Sequence, residues 1–324
     1  MKIPILSSRS GWHTDQLLRA MAERGHEGVL LQYEALVARL GGRRGLGAGG
    51  EELLEARAVL ARIIPNGSLE QIIYRVDALH WLEEQGVVVM NSPRTIERSV
   101  DKFYTSATLQ RVGLATPETV VCERADDAMD AFRAMGDVIV KPLFGSMGLG
   151  MVRVSDEDSA WRVFRALEAI RGVYYLQRAV KQGGTGGNGA LQGGLPGRPE
   201  SREGREGHEE RENREGRDVR AFVVGDRVIG AIERSAPGWR TNVARGGRAR
   251  AIDLPPEWCA MALRAARAVG AEYAGVDLLP AEDGTVYVLE VNGIPGWRGL
   301  QEATSIDVAA AIVDHLLGAI AARA

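Results

Sequence analysis

Three oxygen-bearing side chains near the C-terminal end of the chain have the spacing of a cation site. Residues 275–296 read GVDLLPAEDGTVYVLEVNGIPG, and the turn residues at 282–284 separate two strand-like runs that we expect to pair as a hairpin. Glu290 and Asn292 share a face of the second strand, and Asp277 lies almost opposite on the first. Carboxylate and amide oxygens suit hard cations, so the segment predicts a Mg²⁺ site that leaves positions for substrate phosphates, with Mn²⁺ as an alternative metal.

A purely structural role is the alternative for these residues. In that case Asp277 starts a turn and Glu290 is a solvated strand residue. A glutamate inside the apolar run VYVLEV is costly unless it is paired or bound to a metal, which favours the cation site.

A glycine-rich segment earlier in the chain has the composition of a phosphate-binding loop. Residues 138–150 read VIVKPLFGSMGLG and are followed by MVRV, so the loop lies between two strand-like runs. Glycine accepts positive φ and lets backbone N–H groups approach an anion. A P-loop or a Rossmann loop opens into a helix, and no helix pattern follows here. We therefore expect a β-hairpin flap, with Lys141 at its base, that closes over a nucleoside triphosphate. An ordinary glycine-rich hairpin is the alternative.

Six motifs in order resemble the ATP-grasp superfamily and, within it, the RimK-like α-L-glutamate ligases. They are DKFYTSATLQ (101–110), VIVKPLFGSMGLG (138–150), YYLQRAV (174–180), RDVRAFVVGDRVIGAIERSA (217–236), WRTNVARGG (239–247) and VDLLPAEDGTVYVLEVNGIPG (276–296). The resemblance extends from about Thr95 to the C-terminus and is far more specific than one glycine loop. It implies ligase chemistry with ATP and Mg²⁺ as ligands.

The resemblance implies an α/β (α+β) architecture in which an ATP-grasp fold is preceded by a small Rossmann-like α/β domain. We expect an N-terminal pre-ATP-grasp domain at 1–94, a central subdomain with the flap at 95–172, and a C-terminal subdomain with the metal site at 173–324. Hydrophobic periodicity and turn residues predict their elements. The predicted strands are 3–7, 29–31, 87–90 and 119–122, and the predicted helices are 69–85, 96–112, 126–135, 156–171 and 307–322, besides one that ends at Gly25.

One stretch, at 183–216, interrupts the resemblance. Glycine, arginine and glutamate dominate it, and aromatic and β-branched residues are almost absent. Such a composition buries too little apolar area to offset the entropy of ordering, so we expect a mobile loop that the fold can do without. A partner-binding or nucleic-acid-binding arm is the alternative, and the interleaved glutamates disfavour it.

The resemblance assigns nucleotide contacts to three segments. Lys102 and Lys141 are expected to contact the phosphates as mobile point charges. The flap residues are Gly145, Ser146, Met147 and Gly148, and the adenine hinge comprises Gln177, Arg178, Ala179 and Val180, whose backbone groups are expected to contact the base. Relatives commonly carry an acidic and an aromatic residue where this chain has Arg178 and Ala179, so we expect the side-chain contacts of the hinge to differ.

Polar residues after the insertion form the expected substrate side of the site. Asp218 and Arg220 alternate on one strand and are assigned to nucleotide binding, and Arg234, Arg240 and Asn242 join Lys141 as catalytic candidates. Arg240 and Asn242 match an Arg-Ser-Asn element of the family, with threonine in place of serine. Guanidinium groups beside a triphosphate repel one another without an anion, so we expect a carboxylate or acyl phosphate substrate there. Solvated surface arginines are the alternative.

The implied reaction has two steps. A carboxylate attacks the γ-phosphorus of ATP, which yields an acyl phosphate and ADP, and the amino group of an amino acid then attacks the acyl carbon. Arg234 or Arg240 stabilises the oxyanion, and phosphate leaves. We expect L-glutamate as the amino acid and a pterin-like cofactor or a protein C-terminus as the acceptor. An amino-group carrier protein in lysine- or arginine-type biosynthesis and a non-catalytic nucleotide sensor are the alternatives.

Two further segments concern the acceptor. Residues 63–86 resemble the acceptor-side loop and helix of the family, which makes Ser68 and Arg75 candidate contacts. Trp297 and Arg298 follow the metal strand and are candidates for lining a pocket that holds a flat aromatic acceptor with an acidic tail. Packing of Trp297 against the C-terminal helix is the alternative.

Composition indicates a cytoplasmic enzyme. The chain has 324 residues with 45% hydrophobic content, enough for a large core and two or three domains. Its net charge of -3 gives no electrostatic reason to expect nucleic acid or an anionic membrane as a partner. Cys122 and Cys259 have no framework spacing, and no apolar run reaches the length of a membrane span. A homodimer or homotetramer is compatible with these features.

Overall fold

The computed structural model describes residues 1–42, 45–145, 148–183, 215–239 and 247–323. Four predicted site residues, Ser146, Met147, Arg240 and Asn242, lie outside these ranges, as does most of the 183–216 insertion. The roles assigned to them remain predictions. The elements below are numbered in chain order.

The N-terminal part is a parallel α/β sheet. Strands β1 (Lys2–Ser7), β2 (Glu27–Gln32), β6 (Ala58–Ala61) and β7 (Val88–Met90) lie in the order β2-β1-β6-β7 and pair in parallel. Helices α1 (Trp12–Glu23) and α2 (Leu69–Glu84) follow β1 and β6. Leu17 and Leu79, one from each helix, are fully buried in cores that include residues of the sheet. This arrangement confirms the small α/β domain that the alternating strands and helices predict.

A second, smaller sheet in this part was not predicted. β3 (Leu36–Arg39), β4 (Gly45–Ala48) and β5 (Glu51–Glu52) pair antiparallel in that order, after the 3₁₀ turn Tyr33–Ala35. The strands are short and β4 contains two glycines, so no alternation of apolar and polar residues marks them. Leu36 and Leu46 nevertheless join the same core as β6, which is the tertiary contact that stabilises this sheet.

The central sheet carries the flap. β8 (Thr119–Cys122), β9 (Val138–Lys141), β10 (Val152–Val154) and β11 (Tyr174–Arg178) are antiparallel in the order β10-β9-β11-β8. Helices α5 (Ala125–Met135) and α6 (Glu157–Ala169) bury Phe132 and Phe164 in its core. β11 follows the expected boundary at 172 and pairs with β8 and β9, so it belongs to this sheet. The limits of the domains otherwise remain predictions.

The helix expected at 96–112 is two helices, α3 (Pro93–Val100) and α4 (Lys102–Arg111). Asp101 separates them, because its carboxylate accepts a hydrogen bond from the Tyr104 N–H at 3.0 Å and so caps α4. The prediction of one helix was wrong at this residue. The break places Lys102 in the first turn of α4, within reach of the flap.

The C-terminal part is an antiparallel sheet buried on both faces. β12 (Glu215–Val224), β13 (Arg227–Pro237), β14 (Arg248–Ala251), β15 (Tyr273–Pro280) and β16 (Val286–Asn292) lie in the order β14-β13-β12-β15-β16. Helices α7 (Pro256–Val269), α8 (Arg298–Thr304) and α9 (Val308–Ala322) complete it. Along β12, Ala221 shares a core with α7, whereas Phe222 shares a core with α9. Among the described helices none is long and apolar enough by itself to cross a membrane; α8 and α9 pass that test only as a pair bent by 113°.

Asn91 joins the N-terminal sheet to the strand hairpin that carries the predicted metal residues. It directly follows β7 and is fully buried. Its Nδ2 donates to the backbone oxygens of Tyr273 and Gly293 at 2.8 and 2.6 Å. Its Oδ1 accepts from the N–H groups of Glu272 and Tyr273 at 2.7 and 3.3 Å. One side chain thus pairs four backbone groups at the start of β15 and the end of β16.

Replacing Asn91 with alanine is expected to lower the free energy of unfolding by about 3 kcal/mol, because it leaves buried backbone groups without partners. Urea unfolding followed by circular dichroism measures the change. Asn66→Ala removes the same side chain at an exposed position and serves as the control, with an expected change of less than about 0.5 kcal/mol. Equal stability of the two variants would contradict a structural role for Asn91.

Candidate active site

The C-terminal hairpin has the register that the sequence predicts. Asp277 lies directly opposite Glu290, and Gly275 lies opposite Asn292. Glu290 and Asn292 therefore share one face of β16, next to Asp277 on β15. The Asn292 amide nitrogen donates to the Gly275 oxygen at 3.4 Å, which directs its Oδ1 away from that strand. Two carboxylates and one amide thus lie together, the oxygen donor set of a hard cation.

Asp277 is already bound by two arginines. Arg220 Nε and Nη2 donate to its two oxygens at 2.6 and 2.7 Å, and Arg234 Nη2 approaches Oδ2 at 3.0 Å. Burial alone raises the pKa of Asp277, but Arg220 and Arg234 hold the pKa of that carboxyl below its usual range. The carboxylate is therefore ionised at neutral pH. A cation bound by Asp277 has to share its oxygens with these guanidinium groups.

Arg234 is itself part of a buried ion pair. Its Nε and Nη2 donate to the two oxygens of Asp218 at 2.7 and 2.5 Å, and its side chain is only 4% exposed. Burial lowers the pKa of Arg234, but Asp277 and Asp218 raise it more, so it stays above its usual range. Asp218 lies opposite Arg234 and Arg220 lies opposite Asp277 in the strand register. Four alternating charges therefore run across β13, β12 and β15.

This network corrects one argument from the sequence. The clustered arginines predict an anionic substrate, yet Arg220 and Arg234 are paired with the carboxylates of Asp277 and Asp218. The sequence does show that opposite charges, Asp218 and Arg220, alternate on one strand. Their partners on the neighbouring strands can be identified only once the strand register is known. The roles of Asp218 and Arg220 as nucleotide contacts and of Arg234 as a catalytic group remain predictions.

Glu290 faces two lysines across the cleft between the central and C-terminal sheets. Burial lowers the pKa of Lys141 to about 8, and the negative charge of Glu290 opposes that fall. Burial likewise lowers the pKa of Lys102, again opposed by Glu290. Within the described part of the chain, no side chain donates a hydrogen bond to the Glu290 carboxylate. Glu290 is half-buried, and its carboxylate is available to a cation. The Asp277 carboxylate is only partly available, because Arg220 and Arg234 already bind its oxygens.

The glycine segment forms the predicted hairpin. β9 and β10 pair antiparallel, with Val140 opposite Val152. Gly145, Gly148 and Gly150 all have positive φ, at 151°, 65° and 74°, as expected for a loop that presents its backbone to an anion. Lys102 Nζ donates to the Gly145 oxygen at 2.9 Å and so ties the start of the flap to α4. Both predicted phosphate lysines lie at the same end of the cleft as Glu290.

The predicted adenine hinge has fewer free groups than expected. The N–H groups of Arg178 and Ala179 donate to the backbone oxygens of Glu118 and Asp137 at 2.8 and 2.9 Å. The Arg178 side chain pairs with the Glu118 carboxylate and therefore points away from the cleft. Gln177, also assigned to the hinge, is 2% exposed and directs its side chain toward Lys141. A base bound here has to use other backbone groups of the segment, such as those of Val180.

Three residues proposed for the acceptor have structural roles. Ser68 caps α2, since its Oγ accepts from the Gln71 N–H at 3.3 Å. Arg75 is buried and donates to the Pro65 oxygen at 2.8 Å. Trp297 is 1% exposed and packs against Phe222 and the His13 ring, so the hypothesis that it lines a pocket is wrong and the packing alternative holds. Arg298 remains exposed.

Sequence comparisons assign the chain to a family. A model of the RimK pre-ATP-grasp domain matches residues 1–96, and a model of the RimK-like ATP-grasp domain matches residues 209–316. The tetrahydromethanopterin:α-L-glutamate ligase of Methanococcus maripaludis is 30% identical over 319 residues, which cover 98% of both chains. This chain belongs to the RimK-like ATP-grasp ligases. A second relative of the same name, from Methanosarcina acetivorans, is 32% identical over 339 residues, 94% of this chain and 95% of the relative.

Solved structures show the same fold. The ATP-grasp ligase PsnB in complex with its minimal precursor has a TM-score of 0.70 at 21% identity, covering 99% of both chains. A RimK domain ATP-grasp protein from Sphaerobacter thermophilus has a TM-score of 0.67 at 23% identity, covering 98% of this chain and all of that one. The RimK-like ligase described here is therefore an ATP-dependent enzyme of the class that forms amide bonds, on an ATP-grasp fold with a pre-ATP-grasp domain.

Proposed function

We propose that this ligase joins the amino group of L-glutamate to a carboxylate acceptor through an acyl phosphate and releases ADP and phosphate. The observation that carries the proposal is the pair of lysines at the glycine hairpin. Lys102 donates to the Gly145 oxygen at 2.9 Å, Lys141 ends β9 of the hairpin, and the negative charge of Glu290 acts on both. Two lysines and one glutamate suit a metal-bound triphosphate. The negative phosphates can pair with the lysines, and the metal cation can bind Glu290.

ATP enters this scheme as its Mg²⁺ complex. Glu290 and Asn292 would hold the cation, with Asp277 sharing one of its oxygens, and Mn²⁺ takes the same ligands. When bound, the cation supplies charge neutralisation at the phosphate oxygens. Lys141 and Lys102 bind the phosphates, and the flap residues 145–148 cover them. Catalysis by these groups is positioning and electrostatic stabilisation, as in other phosphoryl transfers.

The chemistry requires no covalent enzyme intermediate. A carboxylate oxygen of the acceptor forms a bond to the γ-phosphorus as the bond from that phosphorus to the β-γ bridging oxygen breaks, and ADP leaves. The glutamate nitrogen then bonds to the acyl carbon, loses its proton, and displaces phosphate. We assign stabilisation of the oxyanion to Arg240 with Asn242 rather than to Arg234, because Asp218 and Asp277 already occupy the Arg234 guanidinium.

For the acceptor, we propose a small pterin-like molecule that carries a carboxylate. Two relatives that match this chain over nearly their whole length are named tetrahydromethanopterin:α-L-glutamate ligase, and this supports both the pterin class and glutamate as the added amino acid. A protein C-terminus is the second acceptor class to test. PsnB, which shares the fold, was solved with the precursor peptide PsnA2.

Purified enzyme should release ADP and phosphate in equal amounts when MgATP, L-glutamate and a tetrahydropterin with an acidic side chain are all present. A coupled assay for ADP, a phosphate assay and mass spectrometry of the product measure this. Lys141→Ala should lower the rate by about two orders of magnitude, because a half-buried positive charge next to the phosphates is lost. Lys181→Ala, at an exposed position, is the matched control and should keep the wild-type rate. Formation of AMP, or ADP release indifferent to every amino acid, would overturn the proposal.

A further inference from the structure

A chain of hydrogen bonds lies behind Lys141. Lys141 Nζ donates to Gln177 Oε1 at 2.5 Å. Gln177 Nε2 donates to Thr119 Oγ1 at 3.1 Å and to the Tyr175 hydroxyl at 3.3 Å. The Tyr175 hydroxyl lies 2.8 Å from Ser106 Oγ. These side chains come from α4, β8, β9 and β11, so the chain connects the base of the flap to the helix that carries Lys102.

The hydrogen bonds of the Gln177 amide each have one direction. The Lys141 ammonium can only donate, so the oxygen of the Gln177 amide must face it and the amide nitrogen must face the other way. Thr119 donates its own proton to the Pro117 oxygen at 2.9 Å and therefore accepts from Gln177. The Tyr175 hydroxyl accepts from Gln177 as well, and it shares a further hydrogen bond with Ser106 in which either hydroxyl can donate. The orientation of the amide is thus determined at both ends.

The middle of this hydrogen-bond chain is buried, which makes its pairing energetically important. Gln177 is 2% exposed and Tyr175 is 1% exposed. Buried polar groups that are fully paired hold one another in a single arrangement, whereas a buried ammonium without an acceptor is costly. Tyr175 and Lys141 are also opposite each other in the strand register. The position of the Lys141 ammonium is therefore set from behind, before any nucleotide binds.

We propose that Gln177 and Tyr175 are positioning residues that hold the Lys141 ammonium ready for the triphosphate, and that Gln177 is not a contact for the adenine base. The proposal rests on the proposed function in that Lys141 is taken to bind phosphate. It reassigns the side chain of Gln177 from the hinge to the phosphate end of the cleft. Gln177 acts through Lys141, so its loss should change the charge state and placement of that lysine.

The charged and titratable groups that face Lys141 come from four elements. They are Glu290 on β16, Asp277 on β15, Lys102 on α4 and Tyr175 on β11. Glu290 and Asp277 favour the charged form of Lys141, and Lys102 disfavours it. A substitution at Gln177 leaves Glu290, Asp277 and Lys102 in place and removes one hydrogen bond to Tyr175. A change in the titration of Lys141 would therefore report on the contacts of Gln177.

The test measures the pKa of Lys141 directly, by NMR of enzyme labelled with ¹³C at the lysine ε-carbons. The chain has only four lysines, Lys2, Lys102, Lys141 and Lys181, and a Lys→Arg variant of each assigns its signal. Gln177→Met removes the acceptor at nearly constant shape and should lower the pKa of Lys141 below its wild-type value of about 8. Gln177→Glu places an anion there and should raise the pKa of Lys141. Gln110→Met, on the exposed side of α4, is the control and should change nothing.

Binding and turnover complete the test. Gln177→Met should weaken MgADP binding and lower kcat/KM for ATP about tenfold, and Tyr175→Phe, which removes one of two groups that orient the amide, should do so about threefold. A lower Lys141 pKa in Gln177→Met and a higher one in Gln177→Glu support the proposal. If the wild-type enzyme at the same time releases no ADP, only the proposed function is contradicted. An unchanged Lys141 pKa in both variants, or movement in the same direction, would overturn the proposal whatever the turnover. If Gln177→Glu does not fold, Gln177→Met decides alone: a lower Lys141 pKa supports the proposal, and an unchanged or higher one overturns it.

Discussion

Replacing Glu290 with glutamine should lower turnover by at least about three orders of magnitude while the fold remains intact. The change removes one negative charge at nearly constant shape from the face of β16 that also carries Asn292. Asp277 cannot compensate, because Arg220 and Arg234 already bind its oxygens. Loss of charge stabilisation at a metal-bound phosphoryl group removes several kcal/mol of catalysis. The ADP assay described above measures the rate.

Two further measurements make the Glu290 prediction specific. Binding of ADP should lose most of its dependence on Mg²⁺ in Glu290→Gln, since the remaining donors hold the cation weakly. The pKa of Lys141 and that of Lys102 should both fall, because Glu290 opposes the effect of burial on each. Glu302→Gln, at an exposed position paired with Arg298, is the control. A turnover rate in Glu290→Gln equal to that of the wild type would contradict the assignment of the cation site.

The second large effect is on stability. Arg234→Met should lower the free energy of unfolding by about 3–5 kcal/mol, because it removes the guanidinium that lies between the buried carboxylates of Asp218 and Asp277. Breaking one side of a buried ion pair is costly since the remaining charge loses its compensation. Urea unfolding measures the change. Arg298→Met, at a position 61% exposed with one i,i+4 partner, should change stability by less than about 0.5 kcal/mol.

The sign of the pH dependence separates this explanation from loss of packing. In the wild type the pKa of Asp277 is held below its usual range, so its ion pairs stabilise the fold above that range and the contribution is lost as pH falls through the folded pKa. The penalty of Arg234→Met should therefore be largest near neutral pH and should shrink in acid. The double variant Asp218→Leu/Arg234→Met should be less destabilised than the two single changes added together. A pH-independent penalty with additive single effects would indicate packing alone.

Local features of this ligase follow from the sequence. The Asp277–Glu290 pairing and the flap hairpin depend on short runs of strand-forming residues joined by turn or glycine residues, so their register is determined within about twenty residues. The cap at Asp101 is equally local, and reading Asp101 as an N-cap would have divided the helix that was expected to be continuous. The family itself also follows from the order of motifs along the chain.

Contacts between residues far apart in the sequence determine the other features of the site. Arg220 and Asp277 are 57 residues apart, and only the order of β12 beside β15 shows that they neutralise each other. Gln177 belongs by sequence to a hinge, but the strand alternation of β11 directs its side chain to Lys141. Trp297 resembles a pocket residue until the packing of β12 and α1 buries it. A sequence shows which residue types are close along the chain. The register between distant strands decides which charged side chains pair and which face of a strand is buried, and the whole fold determines that register.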